Sequence, residues 1–235
     1  MPTPTATAVL VAAGNSTRMG PGERKPWRTL LGRPLVWHTL AAFDAAPSVS
    51  EVVLVGHHDD LERLERLRAS EPVFAKVRSI VAGGAERTDS VRAGIAAASP
   101  AAQVLLVHDA ARATIDADTI ARAVAAAWEQ DAAVVAVPVR DTLKRADAEG
   151  RAVDTLDREG LWAAQTPQAF RAERLRAALE RAAREGWTPT DDAALFERYF
   201  GPVAIVPGDP ANLKITTAAD LVLAEAILAR RGGTV

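Results

Sequence analysis

The chain has no cysteine in its 235 residues, so disulfides, thiolate metal sites and cysteine nucleophiles are all excluded. Aromatic residues make up only 5% of it, and the scattered Trp27, Trp37, Trp128, Trp162 and Trp187 are each expected to serve packing. No apolar run approaches the ~18 residues of a membrane-spanning helix. The opening residues MPTPTATAVLVAAG also lack the basic region of an export signal. These absences predict a soluble, unexported chain suited to a reducing cytoplasm. Charge of one sign is lacking too: 28 Lys and Arg stand against 30 Asp and Glu, for a net charge of -2. Without a broad basic face the chain is not expected to bind nucleic acid, and any anionic ligand must be met by a local cluster.

What is present is globular. The hydrophobic content is 49% and the charged content 25%, and the length suits one large domain spanning 1–235. Short runs of Val, Leu and Ile at 8–11, 52–55, 78–81, 104–107, 133–137 and 203–206 predict strands buried on both faces. Segments of helical period at 35–45, 60–68, 90–97, 116–128 and 217–230 fall between or after them, Thr217 being placed to cap the last. The expected fold is α/β: an open, mostly parallel Rossmann-like sheet with helices on both faces. The polar stretch 140–170 breaks this rhythm. It predicts a protruding two-stranded β-arm turning near Glu149 and Gly150, which would need a second copy of the chain to pack on, giving a homodimer.

Four loops carry candidate chemistry. The first follows the first strand, in AVLVAAGNSTRMGPGERKPW at 8–27. Its glycines fit neither the dinucleotide fingerprint nor the P-loop spacing, so a dehydrogenase is not expected. The small turn Ala12, Ala13, Gly14 lets a ligand approach the backbone, and Arg18 with Lys25 could wrap a triphosphate and stabilise a leaving pyrophosphate. A solvated basic loop is the other reading. In the second loop, VAGGAERTDSVRAG at 81–94, Gly83 and Gly84 give backbone access, Arg87 adds a cation, and Asp89 or Ser90 caps the next helix. A plain strand-to-helix turn has the same composition.

The third loop, LLVHDAARA at 105–113, puts Asp109 and Ala110 at the carboxyl end of a central strand, where open α/β sheets bind ligands. Asp109 is a candidate ligand for magnesium, which needs few protein carboxylates when phosphates supply the rest, or else a helix cap. The fourth, VPGDPANLKITTAADL at 206–221, could bring Lys214 towards the same crevice, with Asp209 as a candidate second carboxylate. Thr142, Arg158, Thr166 and Thr190, with Arg112, form a set of hydroxyls and guanidiniums suited to a phosphate monoester, although each is also an ordinary turn or cap residue. His38, His57, His58 and His108 have no metal-ligand spacing, and the adjacent His57 and His58 are expected to point apart on a strand.

The segments LVAAGNSTRM with Lys25, GGAERTDSV, LVHDAAR, PVRDTLKRA, DREGLWAAQTPQAF, TDDA and NLKIT occur in that order. Together, over 8–228, they closely resemble the 2-C-methyl-D-erythritol 4-phosphate cytidylyltransferases of non-mevalonate isoprenoid synthesis. The resemblance implies cytidylyl transfer from CTP to that alcohol phosphate with release of pyrophosphate. It implies transition-state stabilisation by Arg18 and Lys25, magnesium at Asp109, and orientation of the attacking phosphate by Arg158 and Lys214. The nucleotide would be held at Ala12, Ala13, Gly14, Gly83, Gly84, Arg87, Ser90 and Ala110, and the alcohol phosphate by Arg112, Thr142, Arg158, Thr166 and Thr190, with the arm crossing to a partner's site. The chain departs from the common family pattern at Pro26, Ala85, Ala113 and Ala211. The competing readings are the same transfer to another alcohol phosphate, such as ribitol 5-phosphate, and a non-catalytic nucleotide-binding protein on this fold.

Overall fold

The computed structural model describes residues 5–14 and 22–232. Eleven strands are described: β1 (Ala6–Ala12), β2 (Thr29–Leu30), β3 (Arg33–Pro34), β4 (Val49–Gly56), β5 (Val77–Ala82), β6 (Val104–Asp109), β7 (Ala132–Pro138), β8 (Leu143–Ala146), β9 (Ala152–Leu156), β10 (Trp162–Arg171) and β11 (Ala204–Pro207). The helices are α1 (Leu35–Asp44), α2 (Leu61–Ser70), α3 (Arg87–Ala97), α4 (Ala117–Gln130), α5 (Ala172–Glu185), α6 (Asp192–Phe200) and α7 (Ala218–Arg230). Seven strands form the main sheet in the order β11-β7-β10-β6-β1-β4-β5. All neighbours in it are parallel except β10, which runs antiparallel between β6 and β7.

Strand alternation divides the core between two faces. On β1, Ala8 and Leu10 pack with Val36 and Phe43 of α1, Leu64 of α2 and Ile120 and Val124 of α4. Val9, pointing the other way, packs with Val91 and Ile95 of α3, Leu175 of α5 and Phe196 of α6. A sheet buried on both sides accounts for the nearly unbroken apolar runs of its strands.

Helix ends follow local chemistry. The side chain of Asp116 accepts a hydrogen bond from the amide of Thr119 at 2.7 Å and opens α4. Thr217 and Asp220 form a reciprocal capping box at the start of α7, so the expected cap at Thr217 is present. The cap of α3 differs from expectation. Glu86 caps it and Asp89 returns the bond, so the helix begins at Arg87 instead of at residue 90. This start puts the Arg87 side chain at the helix mouth.

The expected arm over 140–170 is shorter than its sequence suggests. Only β8 and β9 form a hairpin, in which Leu143 pairs with Leu156 and Gly150 adopts a positive φ of 79° in the turn. From Trp162 onward the chain rejoins the main sheet as β10. Its polar residues Gln165, Thr166 and Gln168 are buried, and a register irregularity lies between Ala164 and Gln168. β10 is not announced by apolar alternation, whereas α5, not among the expected helices, does carry a helical period in its buried Ala172, Leu175, Ala178, Leu179 and Ala182.

Candidate active site

The carboxyl ends of β1, β4, β5 and β6 open into one cleft of about 620 Å³. On one side Ala12, Ala13 and Gly14 leave β1; on the other Gly83 and Gly84 leave β5. The two segments touch: a Cβ on Gly83 would lie 2.4 Å from Cβ of Ala13 and 2.6 Å from Oγ of Ser90. Only glycine fits there, so the two segments can pass this closely, and the Gly83 amide is itself engaged, donating to the Gly56 carbonyl at 2.8 Å. Ser90, 3% exposed, accepts a hydrogen bond from the Gly84 amide at 3.2 Å and donates to the Glu86 carbonyl at 3.2 Å. Its hydroxyl thus holds the glycine loop in shape.

Cations arrive from three well-separated segments. Lys25 opens a short 3-10 turn whose Pro26 and Trp27 are buried, and it lines the cleft. Arg87 comes from the start of α3, and Lys214 from the loop before α7. Arg18 lies outside the described residues. Asp109 ends β6 at the cleft floor and takes Arg87 Nε at 3.1 Å on Oδ1 and Lys214 Nζ at 2.7 Å on Oδ2. Arg87 also donates through Nη2 to Asp192 Oδ2 at 2.9 Å. The result is a chain of alternating charge, Lys214, Asp109, Arg87, Asp192.

Burial works against charge on Asp109, but the Arg87 guanidinium and the Lys214 ammonium outweigh it and hold its pKa far below the usual carboxylate range. Burial likewise opposes charge on Arg87, and the two carboxylates outweigh it and raise its pKa. For Asp192, which is fully enclosed, burial prevails over Arg87 and the pKa is raised.

A second network fixes the floor. Thr166 Oγ1 accepts the Asp109 amide at 3.1 Å and lies 3.1 Å from Nδ1 of His108, which is wholly buried. Asn212 Nδ2 donates to the Thr166 carbonyl at 2.9 Å, and the amide of Ile215 donates to the Ala111 carbonyl at 2.8 Å. These bonds tie the Lys214 loop to the end of β6. Arg112 belongs to the same scaffold: its Nη1 donates to the Asn212 carbonyl at 2.7 Å.

The structure therefore brings together Ala12, Ala13, Gly14, Lys25, Gly83, Gly84, Arg87, Ser90, Asp109, Ala110 and Lys214. Arg112 and Thr166 lie beneath the cleft as supports, not on its wall. Thr142, Arg158 and Thr190 are exposed and outside it; Arg158 donates instead to the Arg140 carbonyl. Asp209 also turns away, with Oδ2 3.3 Å from Nη2 of Arg231. Two features escaped the sequence reading. Asp192, the second acid of TDDA, reaches Arg87 across the fold. His57 and His58 line the cleft from the loop after β4, and their ring centroids are 4.1 Å apart instead of facing away on a strand.

The family model of 2-C-methyl-D-erythritol 4-phosphate cytidylyltransferase matches residues 6–230. The chain belongs to this cytidylyltransferase family. It is accordingly a nucleotidyltransferase. Among its relatives, the 2-C-methyl-D-erythritol 4-phosphate cytidylyltransferase of Geotalea uraniireducens is 43% identical over 224 residues, covering 94% of this chain and 96% of that protein. That of Synechococcus sp. (strain CC9902) is 43% identical, covering 95% and 97%. Of solved structures, the 2-C-methyl-D-erythritol 4-phosphate cytidylyltransferase of Thermus thermophilus superimposes with a TM-score of 0.77 at 36% identity, covering 96% of this chain and 100% of that one. The 4-diphosphocytidyl-2C-methyl-D-erythritol synthase of Anaerococcus prevotii gives a TM-score of 0.84 at 27% identity, covering 97% and 100%.

Proposed function

We propose that this cleft holds CTP and that the cations around it drive the family's reaction. That reaction is the transfer of a cytidylyl group from CTP to 2-C-methyl-D-erythritol 4-phosphate, giving 4-diphosphocytidyl-2-C-methyl-D-erythritol and pyrophosphate in non-mevalonate isoprenoid precursor synthesis. It is the activity of this chain. A phosphate oxygen of the alcohol phosphate attacks the α-phosphorus, the bond from that phosphorus to the bridging oxygen breaks, and pyrophosphate leaves with the electron pair. No covalent enzyme intermediate is required, so catalysis rests on positioning and charge.

The observation that carries the residue roles is the convergence of Lys25, Arg87 and Lys214 on one cleft beside two close-approach glycine segments. Ala12, Ala13, Gly14, Gly83, Gly84 and Ala110 present backbone to the nucleoside, with Ser90 and Arg87 holding that wall. Lys25, with Arg18, neutralises charge developing on the triphosphate, and Lys214 orients the attacking phosphate. Arg158, Thr142 and Thr190 would reach the alcohol phosphate from the arm side of a second copy, over Arg112 and Thr166 as supports. The exposure of β8 and β9 favours this homodimer, because a lone hairpin is marginal in water. Light scattering that gave a monomer would remove the partner contribution.

The donor set suits a divalent cation, magnesium by preference. Asp109 stays ionised, and Lys214, with its side chain 41% exposed, can release Oδ2 by turning to a phosphate. Asp109 would hold the ion, which supplies charge neutralisation to the triphosphate when bound. Residues 1–235 form a single domain with an arm in this reading. Among the described residues no helix is long and apolar enough to cross a membrane. The lack of cysteine supports a cytoplasmic enzyme.

The test is a substrate panel. Protein, CTP and magnesium are incubated with 2-C-methyl-D-erythritol 4-phosphate or with ribitol 5-phosphate, and pyrophosphate is followed. Turnover with the first is expected; turnover with ribitol 5-phosphate alone would end the reading.

A further inference from the structure

We propose that His57, His58 and Asp59 form a binding site for a borderline transition-metal ion, zinc or cobalt in class, at the wall of the nucleotide cleft and separate from Asp109. Among the described residues this is the only group of three such side chains whose ligand atoms all lie within 4.8 Å of one another. The donors are of the right kind: two imidazoles and a carboxylate suit zinc and its neighbours, whereas magnesium prefers oxygen alone.

The donors are close enough to converge. Asp59 faces both imidazoles, with Oδ1 3.0 Å from His58 Nε2 and its other oxygen, Oδ2, 3.5 Å from His57 Nδ1. Ligand atoms held about 2.1 Å from a metal stand ~3.0–3.4 Å apart, so three donors that already lie within 4.8 Å of one another need only a small turn of the exposed His58 ring to close on an ion. The backbone supplies the arrangement, because 58–60 is a single 3-10 turn that gathers the side chains of residues 57, 58 and 59.

Two competing contacts are weak or dispensable. His57 Nδ1 accepts the Asp59 amide at 3.3 Å, a long bond that the metal would replace. Arg24 Nη1 lies 3.2 Å from Asp59 Oδ2, but Arg24 also grips Asp60 through Nε at 2.9 Å and Nη2 at 2.8 Å, so it keeps a bidentate partner when Asp59 turns to the ion. His58, with its side chain 72% exposed, is free to close on the site. Three protein donors leave coordination positions for water or a phosphate oxygen, and both imidazoles line the cleft.

The site is tested on tag-free protein without nucleotide. Cobalt(II) is titrated and its visible absorption followed, and zinc binding is measured by calorimetry. Saturation at one ion per chain is expected, with zinc displacing cobalt. His58→Ala removes an exposed ligand, and His57→Asn keeps a side-chain acceptor for the Asp59 amide. Each should weaken binding by more than ~10-fold. Asp109→Asn should leave it intact. No saturable binding, binding that survives both histidine substitutions, or binding lost with Asp109→Asn alone would overturn the proposal.

Discussion

The ammonium of Lys214 rests 2.7 Å from Oδ2 of Asp109, a contact made by two side chains from opposite halves of the chain in one corner of the cleft. The lysine assigned to a substrate phosphate is thus held by a carboxylate that an entering anion must displace.

Lys214→Ala and Lys25→Ala should each cut the rate of pyrophosphate release by ~100-fold or more, the loss typical of one preorganised donor. Arg18→Ala should do the same. Steady-state assays at saturating CTP check this, and a variant that keeps full turnover has no such role.

Asp192 holds the far side of Arg87, with its own side chain only 4% exposed. Asp192→Ala leaves the guanidinium without one of its two carboxylates. Breaking a buried pair costs about 3 kcal/mol, somewhat less here because Arg87 is partly open to solvent. Urea denaturation should show a loss of about 2 kcal/mol, and calorimetry a weaker affinity for CTP. An unchanged affinity would mean that Arg87 needs no such support.

Stability should fall on mild acidification. Burial pushes the pKa of His108 down to about 3, the Arg112 charge acts in the same direction, and Asp109 opposes both. In the unfolded chain the imidazole titrates near ~6.5. The unfolded state therefore takes up the proton first, so the contribution is complete above pH ~6.5 and is lost as the pH drops towards ~3, at up to ~1.4 kcal/mol per unit. Asp109, with its lowered pKa, adds a further loss only below about pH 4. Unfolding midpoints at pH 7, 6 and 5 measure the slope, and His108→Gln should flatten it.

Gly94 lets α3 lie close against the sheet. A Cβ there would stand 2.4 Å from Cγ1 of Val9 and 2.7 Å from Cγ2 of Val55. Gly94→Ala should therefore lose about 1–2 kcal/mol despite the better helix propensity of alanine. Thermal melts would detect it; a more stable variant would mean that β1 and β4 yield more easily than packed strands do.

The parallel part of the sheet was legible because it is buried on both faces, which leaves runs such as VLLV at 104–107 with no polar interruption. The loops that follow those strands were legible for the same reason: their glycines and charges stand directly after an apolar run. β10 was hidden because its interior positions are filled by Gln165, Thr166 and Gln168. Their polarity is satisfied by distant partners such as the Asp209 carbonyl, Asp191 and the Ala193 amide. No local pattern encodes those partners. His57 and His58 depart from expectation through their local conformation: a strand would separate them, but β4 ends at Gly56 and the chain coils immediately. Asp192 gave a weak sign in TDDA, but its pairing with Arg87 across 105 positions could be found only in three dimensions.

The arm carries a consequence for how copies of this chain can meet. Both of its strands are open edges, and cross-strand neighbours set Lys144 beside Thr155 and Arg145 beside Asp154 along an otherwise bare ribbon. A third strand laid against either border would have to strip water from those charges, so runaway stacking of ribbons is disfavoured. The ribbon's faces are what a second copy would cover in the proposed dimer, and Val153, 59% exposed, lies on the same face as the Lys144 and Thr155 pair, so such a contact would join an apolar side chain to a polar border.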